Sequence, residues 1–242
     1  MIKLEHVTKR YLRKVALDDV TVTFHPGRIV GIIGENGSGK STLLKLMAGL
    51  VRPTRGKVTV DGKPVTRTVS KNVAYLSERE ELYDFFTVRE TIDFFASQFH
   101  DFNREKAEEL MHFMSLRPTE RVKHLSKGGG GRLKMTLTLA RNAPFVLLDE
   151  PLSGLDPFVR EAVAESLLSF LDLSRQTLIV STHEIQELEQ LIDTVAVIRD
   201  GKMLDVADVE DIRETKGKNL VEWMRELYSH SVPKNSHDEK DE

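Results

Sequence analysis

The apolar positions of this chain change period several times, and each change predicts a different element. The N-terminal stretch alternates at Ile2, Leu4 and His6 and again at Val20, Val22 and Phe24, which predicts half-buried antiparallel strands. RIVGII, Arg28–Ile33, is an unbroken apolar run of the kind that forms a buried strand, and STLLKLMAGL behind it has helical spacing. Lys57–Val60 predicts a further strand closed by an Asp61-Gly62 turn, so a small antiparallel layer brackets the intervening loop. NVAYL, Asn72–Leu76, is a candidate core strand.

From about Glu78 to Ala143 the period becomes helical. Val88, Ile92, Phe95 and Phe99 share one face, and Ala107, Leu110, Met111 and Met114 share another, which predicts a mostly helical insert between core strands. FVLLD (Phe145–Asp149) and TLIVST (Thr177–Thr182) are apolar enough for buried parallel strands. Between them PFVREAVAESLLSFL predicts a helix opened by Pro157, and TVAVIRDGKML predicts a hairpin around Asp200-Gly201. KNLVEWMRELY is amphipathic, with Leu220, Met224 and Leu227 at helical spacing; its apolar face fits its own domain or a partner. The final SHSVPKNSHDEKDE has the composition of a disordered tail.

Composition narrows the function classes. The chain has 242 residues, a net charge of −3 and no cysteine. That excludes cysteine-based metal sites and nucleophiles, and gives no global pull toward nucleic acid or anionic lipid. No apolar run approaches the roughly 18 residues of a membrane span. The expectation is a soluble, cytoplasmic chain without a nucleic-acid partner, and any membrane role must come through a partner.

The candidate chemistry begins at GENGSGKST, Gly34–Thr42, which fits G-x-x-x-x-G-K-[ST] between a predicted strand and a predicted helix. Gly34, Glu35, Asn36, Gly37, Ser38 and Gly39 form a turn whose small residues let backbone N–H groups converge on phosphate oxygens. Lys40 is suited to the terminal phosphates, Ser41 to Mg²⁺, and Thr42 continues the cradle. FVLLDEP then carries Asp149 to the end of an apolar strand, where it suits the Mg²⁺ shell. Glu150 beside it is placed as the general base for an attacking water.

Together these residues resemble the ATP-binding subunit of an ABC transporter over about residues 1–205. GENGSGKST is similar to the family's Walker A, LLDEP to its Walker B, SGLDP (Ser153–Pro157) to its D-loop and LSKGG (Leu125–Gly129) to its signature. STHE puts His183 at the family's switch histidine, and Tyr11 matches the aromatic that stacks on adenine. The resemblance implies an α/β fold: a P-loop NTPase (RecA-like) core, an antiparallel β subdomain and a helical subdomain at about 79–143. Residues 206–242 are then a C-terminal extension with a short helix. It further implies a head-to-tail dimer, homomeric or of paralogues, closing on two ATP molecules with Mg²⁺. Ser126, Gly128 and Gly129 would contact ATP in trans and Asp156 would link the sites. An integral membrane subunit would hold the chain on the cytoplasmic face of the membrane and use the cycle for transport.

Two departures stand out. Glu78 takes the place where the family usually has glutamine; a carboxylate is a good hard ligand for Mg²⁺, so Glu78 joins Ser41 and Asp149 as a metal candidate, or serves as a relay to the membrane subunit. In LSKGGGGRL, Lys127 replaces the first signature glycine and Gly129 the glutamine, while Gly130 and Gly131 extend the run. Each such glycine costs a helix about 1 kcal/mol relative to alanine. Either the helix start is loosened or bulkier residues have been replaced by design, and Lys127 faces ATP or solvent. Tyr83, Phe85 and Phe86 fit either core packing or a groove for a membrane subunit's helix. The compact length, Glu78 and the LSKG form look most like bacterial ABC-2-type exporters. The competing readings are a soluble ATPase of the iron–sulfur-assembly type and a weakly hydrolysing regulatory module.

Overall fold

Alternation along each central strand divides the interior into two apolar layers, one on each face of a six-stranded sheet. In this computed structural model the described residues are 1–77, 82–153, 169–183, 189–215 and 217–230, with 160, 163, 164 and 167 described singly. Glu78, Asp156, Pro157 and the tail after His230 lie outside them.

The antiparallel layer comes first. β1 (Ile2–Tyr11) pairs with β2 (Lys14–Phe24) on one side and with β4 (Arg55–Val60) on the other, and the two-residue β5 (Lys63–Pro64) closes the sheet in the order β2-β1-β4-β5. The second sheet contains β3 (Ile29–Ile33), β6 (Val73–Leu76), β7 (Phe145–Asp149), β8 (Thr177–Thr182), β9 (Thr194–Arg199) and β10 (Lys202–Asp208). Its order is β10-β9-β3-β8-β7-β6; β9, β3, β8, β7 and β6 run parallel and β10 returns antiparallel to β9. NVAYL therefore supplies an edge strand.

Strands buried on both faces explain the unbroken apolar runs. Ile29, Ile33, Val146, Leu148, Leu178, Val180, Val195 and Val197 face the helical side. Val30, Ile32, Phe145, Leu147, Ile179, Ala196 and Ile198 face α1 (Lys40–Met47) and the antiparallel sheet. The helical side holds α2 (Val88–Gln98), α3 (Arg104–Phe113) and α4 (Lys127–Leu139). α2 opens with a capping box in which the Thr87 hydroxyl accepts from the Glu90 N–H and the Glu90 carboxylate accepts from the Thr87 N–H. The helix stops at Gln98, so Phe99 is extended rather than on the α2 face, with its ring 3.9 Å from the Arg141 guanidinium carbon. Apolar periodicity carries no sign of that stop.

The glycine run does not prevent α4 from starting at Lys127. Ser126 caps it, its hydroxyl accepting from the Gly129 N–H at 3.1 Å, and the buried Leu133, Met135 and Leu137 to Leu139 fix the remainder in the core. Tertiary burial outweighs weak local propensity here. Lys127 is exposed to solvent.

After β10 come α5 (Val209–Glu214) and α6 (Leu220–His230). Leu220 and Trp223 are buried in the helical-side core, with Met224 and Leu227 packed against it, so the amphipathic face of α6 covers its own chain.

Candidate functional site

Because β3, β8 and β7 are parallel neighbours, their C-terminal ends emerge on one edge of the sheet. β3 feeds Gly34–Gly39 into α1, β7 ends at Asp149 with Glu150 next, and β8 runs into His183. Register aligns Asp149 with Ser181 and Ile33 with Thr182. Residues more than a hundred positions apart thus meet around one cleft.

Steric closeness dictates the glycines of the first loop. A Cβ on Gly34 would lie 2.2 Å from the Ile198 carbonyl oxygen. Gly39 has φ +115°, and a Cβ there would lie 2.6 Å from the Ala16 carbonyl oxygen. The loop curls around the buried Lys40, whose ammonium donates to the Gly34 carbonyl at 2.7 Å and the Glu35 carbonyl at 3.2 Å. The Ser38 hydroxyl is buried in the same loop, with no hydrogen-bond partner among the described residues.

Asp149 is almost fully buried, and three hydroxyls donate to its carboxylate. Oδ1 accepts from Ser41 Oγ and from Ser181 Oγ, both at 2.9 Å, and Oδ2 accepts from the Tyr75 hydroxyl at 3.1 Å. Ser41 and Asp149 therefore present hard oxygens side by side, the donor type Mg²⁺ selects. Among the described residues no cluster of three or more His, Asp or Glu side chains could hold a metal alone.

Glu150 has φ 49°, a left-handed conformation that a non-glycine residue holds only when its surroundings enforce it. Its N–H donates to Ser181 Oγ at 3.0 Å. This turns the side chain back over the loop, where Oε2 lies 2.8 Å from His183 Nδ1. Oε1 lies 3.0 Å from Lys40 Nζ, out of line for a hydrogen bond, so the contact is Coulombic.

These groups line a cleft of about 580 Å³. Its lining includes Asn36, Gly37, Gly39, Lys40, Ser41 and Thr42 from the loop and α1, together with Asp149, Glu150, His183 and Tyr11. Tyr11 is 42% exposed, with Lys9 Nζ 4.8 Å from its ring centroid. Glu35 is exposed at the loop's outer edge. Ser126, Gly128 and Gly129 do not line this cleft, and Glu78 and Asp156 lie outside the described residues.

Sequence reasoning missed Ser181, Tyr75, Lys14, Lys45 and Ser77. Ser181 was findable, since it opens the STHE segment on the strand that sheet order sets beside β7. Tyr75 carries no signal beyond membership of an apolar strand. Lys14, Lys45 and Ser77 line the cleft only through folding.

A glycine loop around a buried lysine, one strand removed from paired acids, defines a P-loop nucleoside-triphosphate hydrolase. Comparison with known proteins narrows the class. The family described as "ABC transporter" matches residues 17–153. The ABC transporter ATP-binding protein YhcH of Bacillus subtilis is 30% identical over 216 residues, covering 87% of this chain and 71% of the relative. The Nod factor export ATP-binding protein I of Sinorhizobium fredii is 33% identical over 211 residues, covering 84% and 61%. A solved structure of an ATP-binding subunit of an ABC transporter superposes with a TM-score of 0.82 at 26% identity, covering 94% of this chain and 99% of that one. The dimeric post-hydrolysis ATP-binding cassette MJ0796, bound to ADP and Pi, gives 0.77 at 25% identity, covering 86% and 98%. The chain belongs to the ABC transporter family and is an ATP-binding cassette with ATPase activity.

Proposed function

We propose that the cleft is one half of an ATP hydrolysis site whose other half lies on a second ATP-binding subunit. The observation that carries this reading is the placement of Glu150 between Lys40, 3.0 Å from one carboxylate oxygen, and His183, 2.8 Å from the other, beside the glycine loop. Backbone N–H groups of residues 34–39 and the Lys40 ammonium hold the β- and γ-phosphates, and Tyr11 stacks on adenine. Ser41 and Asp149, with Glu78, would hold Mg²⁺, which when bound offsets phosphate charge. Glu150 takes a proton from the attacking water, and His183 orients Glu150 and senses the γ-phosphate. Ser126 and the N–H groups near Gly128 and Gly129 meet that phosphate from the second subunit at the N-terminus of α4, and Asp156 links the sites.

The chain acts at the cytoplasmic face of a membrane through an integral membrane subunit, in a bacterial exporter. No helix among the described residues is long and apolar enough to cross a membrane. A groove of about 380 Å³ beside the cleft, lined by Leu82, Phe95, Phe99 and Leu137, supports docking of a helix from that subunit. The exposed Tyr83, which packs on Phe86 and Phe94, and Phe85, which packs on Tyr83 and Phe86, extend that apolar surface.

Light scattering tests the shared site. Glu150→Gln with Mg²⁺-ATP should run at twice the chain's mass, and adding Ser126→Arg should return it to the monomer. A Glu150→Gln chain that binds ATP and stays monomeric, alone and with its paralogues, would overturn the reading.

A further inference from the structure

The phosphate loop is not supported by its own helix alone. The β9–β10 turn, Asp200-Gly201, has both residues left-handed, at φ 48° and 77°, the two-residue form that keeps a hairpin tight. This turn is wedged against the loop. The Gly201 N–H donates to the Ser38 carbonyl at 2.9 Å, and the Gly201 carbonyl accepts from the Asp18 N–H at 2.8 Å. The Ile198 carbonyl presses so closely on Gly34 that no Cβ fits there. Displacing the turn therefore displaces the loop.

What holds the turn is the C-terminal helix. Arg199, the residue before it, donates from Nη1 to the Tyr228 carbonyl at 3.0 Å. That carbonyl belongs to the last turn of α6. The guanidinium carbon lies 5.1 Å from the centroid of the Tyr228 ring, within cation–π range. Burial, followed by the carboxylate of the loop residue Glu35, pushes the Tyr228 hydroxyl above its ordinary pKa, so ring and loop edge are electrostatic neighbours. At its other end α6 is anchored by Leu220 and Trp223 in the core.

We infer that α6 braces the phosphate loop through Tyr228 and Arg199, making Arg199 a positioning residue for the nucleotide although it touches none of the cleft. The brace is reciprocal: nucleotide that orders the loop stabilises the docking of α6. This rests on the loop being the phosphate site. Trp223, the single tryptophan of the chain, lies on the same helix.

The test uses the full chain with Arg199→Ala, Arg199→Lys, Tyr228→Leu and Tyr228→Phe. Arg199→Ala and Tyr228→Leu should each raise the KM for ATP roughly fivefold, about 1 kcal/mol at 1.4 kcal/mol per decade, with kcat nearly unchanged. Arg199→Lys should recover part of the loss, and Tyr228→Phe, which keeps ring and carbonyl, should match wild type. In nucleotide-free protein, hydrogen exchange at the amides of residues 35–40 should rise in the two damaging variants, and ATP should shift Trp223 fluorescence in wild type and Tyr228→Phe but not in those two. A KM and loop exchange that stay at wild-type values in Tyr228→Leu overturn the inference even if Arg199→Ala fails to fold. Failure of wild type to bind ATP would sink the nucleotide reading instead, and leaves the exchange result to judge the brace.

Discussion

Lys40 Nζ stands 3.0 Å from Glu150 Oε1, with both side chains almost fully buried. The loop after β3 and the acid after β7 are tied by charge across the width of the cleft. Phosphate oxygens would give Lys40 stronger partners and free Glu150 for a water. Removing the ammonium should therefore damage binding before chemistry.

Lys40→Ala is expected to weaken ATP binding by roughly ten- to hundredfold, the scale of a charge-assisted hydrogen bond of about 1.5–3 kcal/mol. Equilibrium titration with a fluorescent ATP analogue reads this directly. An unchanged Kd would remove Lys40 from the phosphate site.

Asp149→Asn separates metal from nucleotide. Asp149 accepts from Ser41, the residue after the loop lysine, so its charge should matter only when Mg²⁺ accompanies ATP. In wild type, chelating Mg²⁺ should weaken ATP binding. In Asp149→Asn, binding with and without Mg²⁺ should agree within about twofold, since a carboxylate proposed to hold the ion is gone. A variant that keeps the full Mg²⁺ effect contradicts the assignment.

The glycine run gives a stability prediction. A Cβ on Gly130 meets nothing within 4 Å, whereas one on Gly129 comes within 3.3 Å of Leu125 Cδ2. Gly130→Ala should therefore gain about 1 kcal/mol, roughly 2–4 °C in Tm for a chain of this size. Gly129→Ala should gain less, because Leu125 must move. Thermal unfolding by circular dichroism distinguishes them, and equal gains would mean that local space does not govern this helix start.

Acid sensitivity should appear at α2. The Thr87 backbone N–H, followed by the Thr87 hydroxyl, holds the Glu90 carboxyl below its ordinary value of 4.5. A lowered folded-state pKa gives stability that is present above 4.5 and lost as pH falls through the folded value. Glu90→Gln should thus lower the urea midpoint at about pH 7 and match wild type at about pH 3. A difference independent of pH would mean that the capping-box carboxylate contributes no charge-dependent stability.

Much of this molecule was legible before its structure. GENGSGKST, FVLLDEP and STHE are short because each needs only a strand end and the residues after it, so local sequence carries them whole. Buried parallel strands likewise announce themselves as apolar runs. Sheet order is not local. That β8 lies between β3 and β7, bringing Ser181 against Asp149, follows from packing among segments far apart in sequence. The same holds for Tyr75 on Asp149, Gly201 on Ser38 and Arg199 on Tyr228. Each pairs residues whose types are unremarkable where they stand.

The central claim, that Glu150 is the base of an ATP hydrolase, is tested most directly by steady-state ATPase rates of wild type and Glu150→Gln at saturating Mg²⁺-ATP, with ATP binding measured alongside. Loss of the general base should lower turnover by about a hundredfold or more, while the variant still binds ATP. Equal rates for the two chains, or a wild type that binds ATP without turning it over, would contradict it.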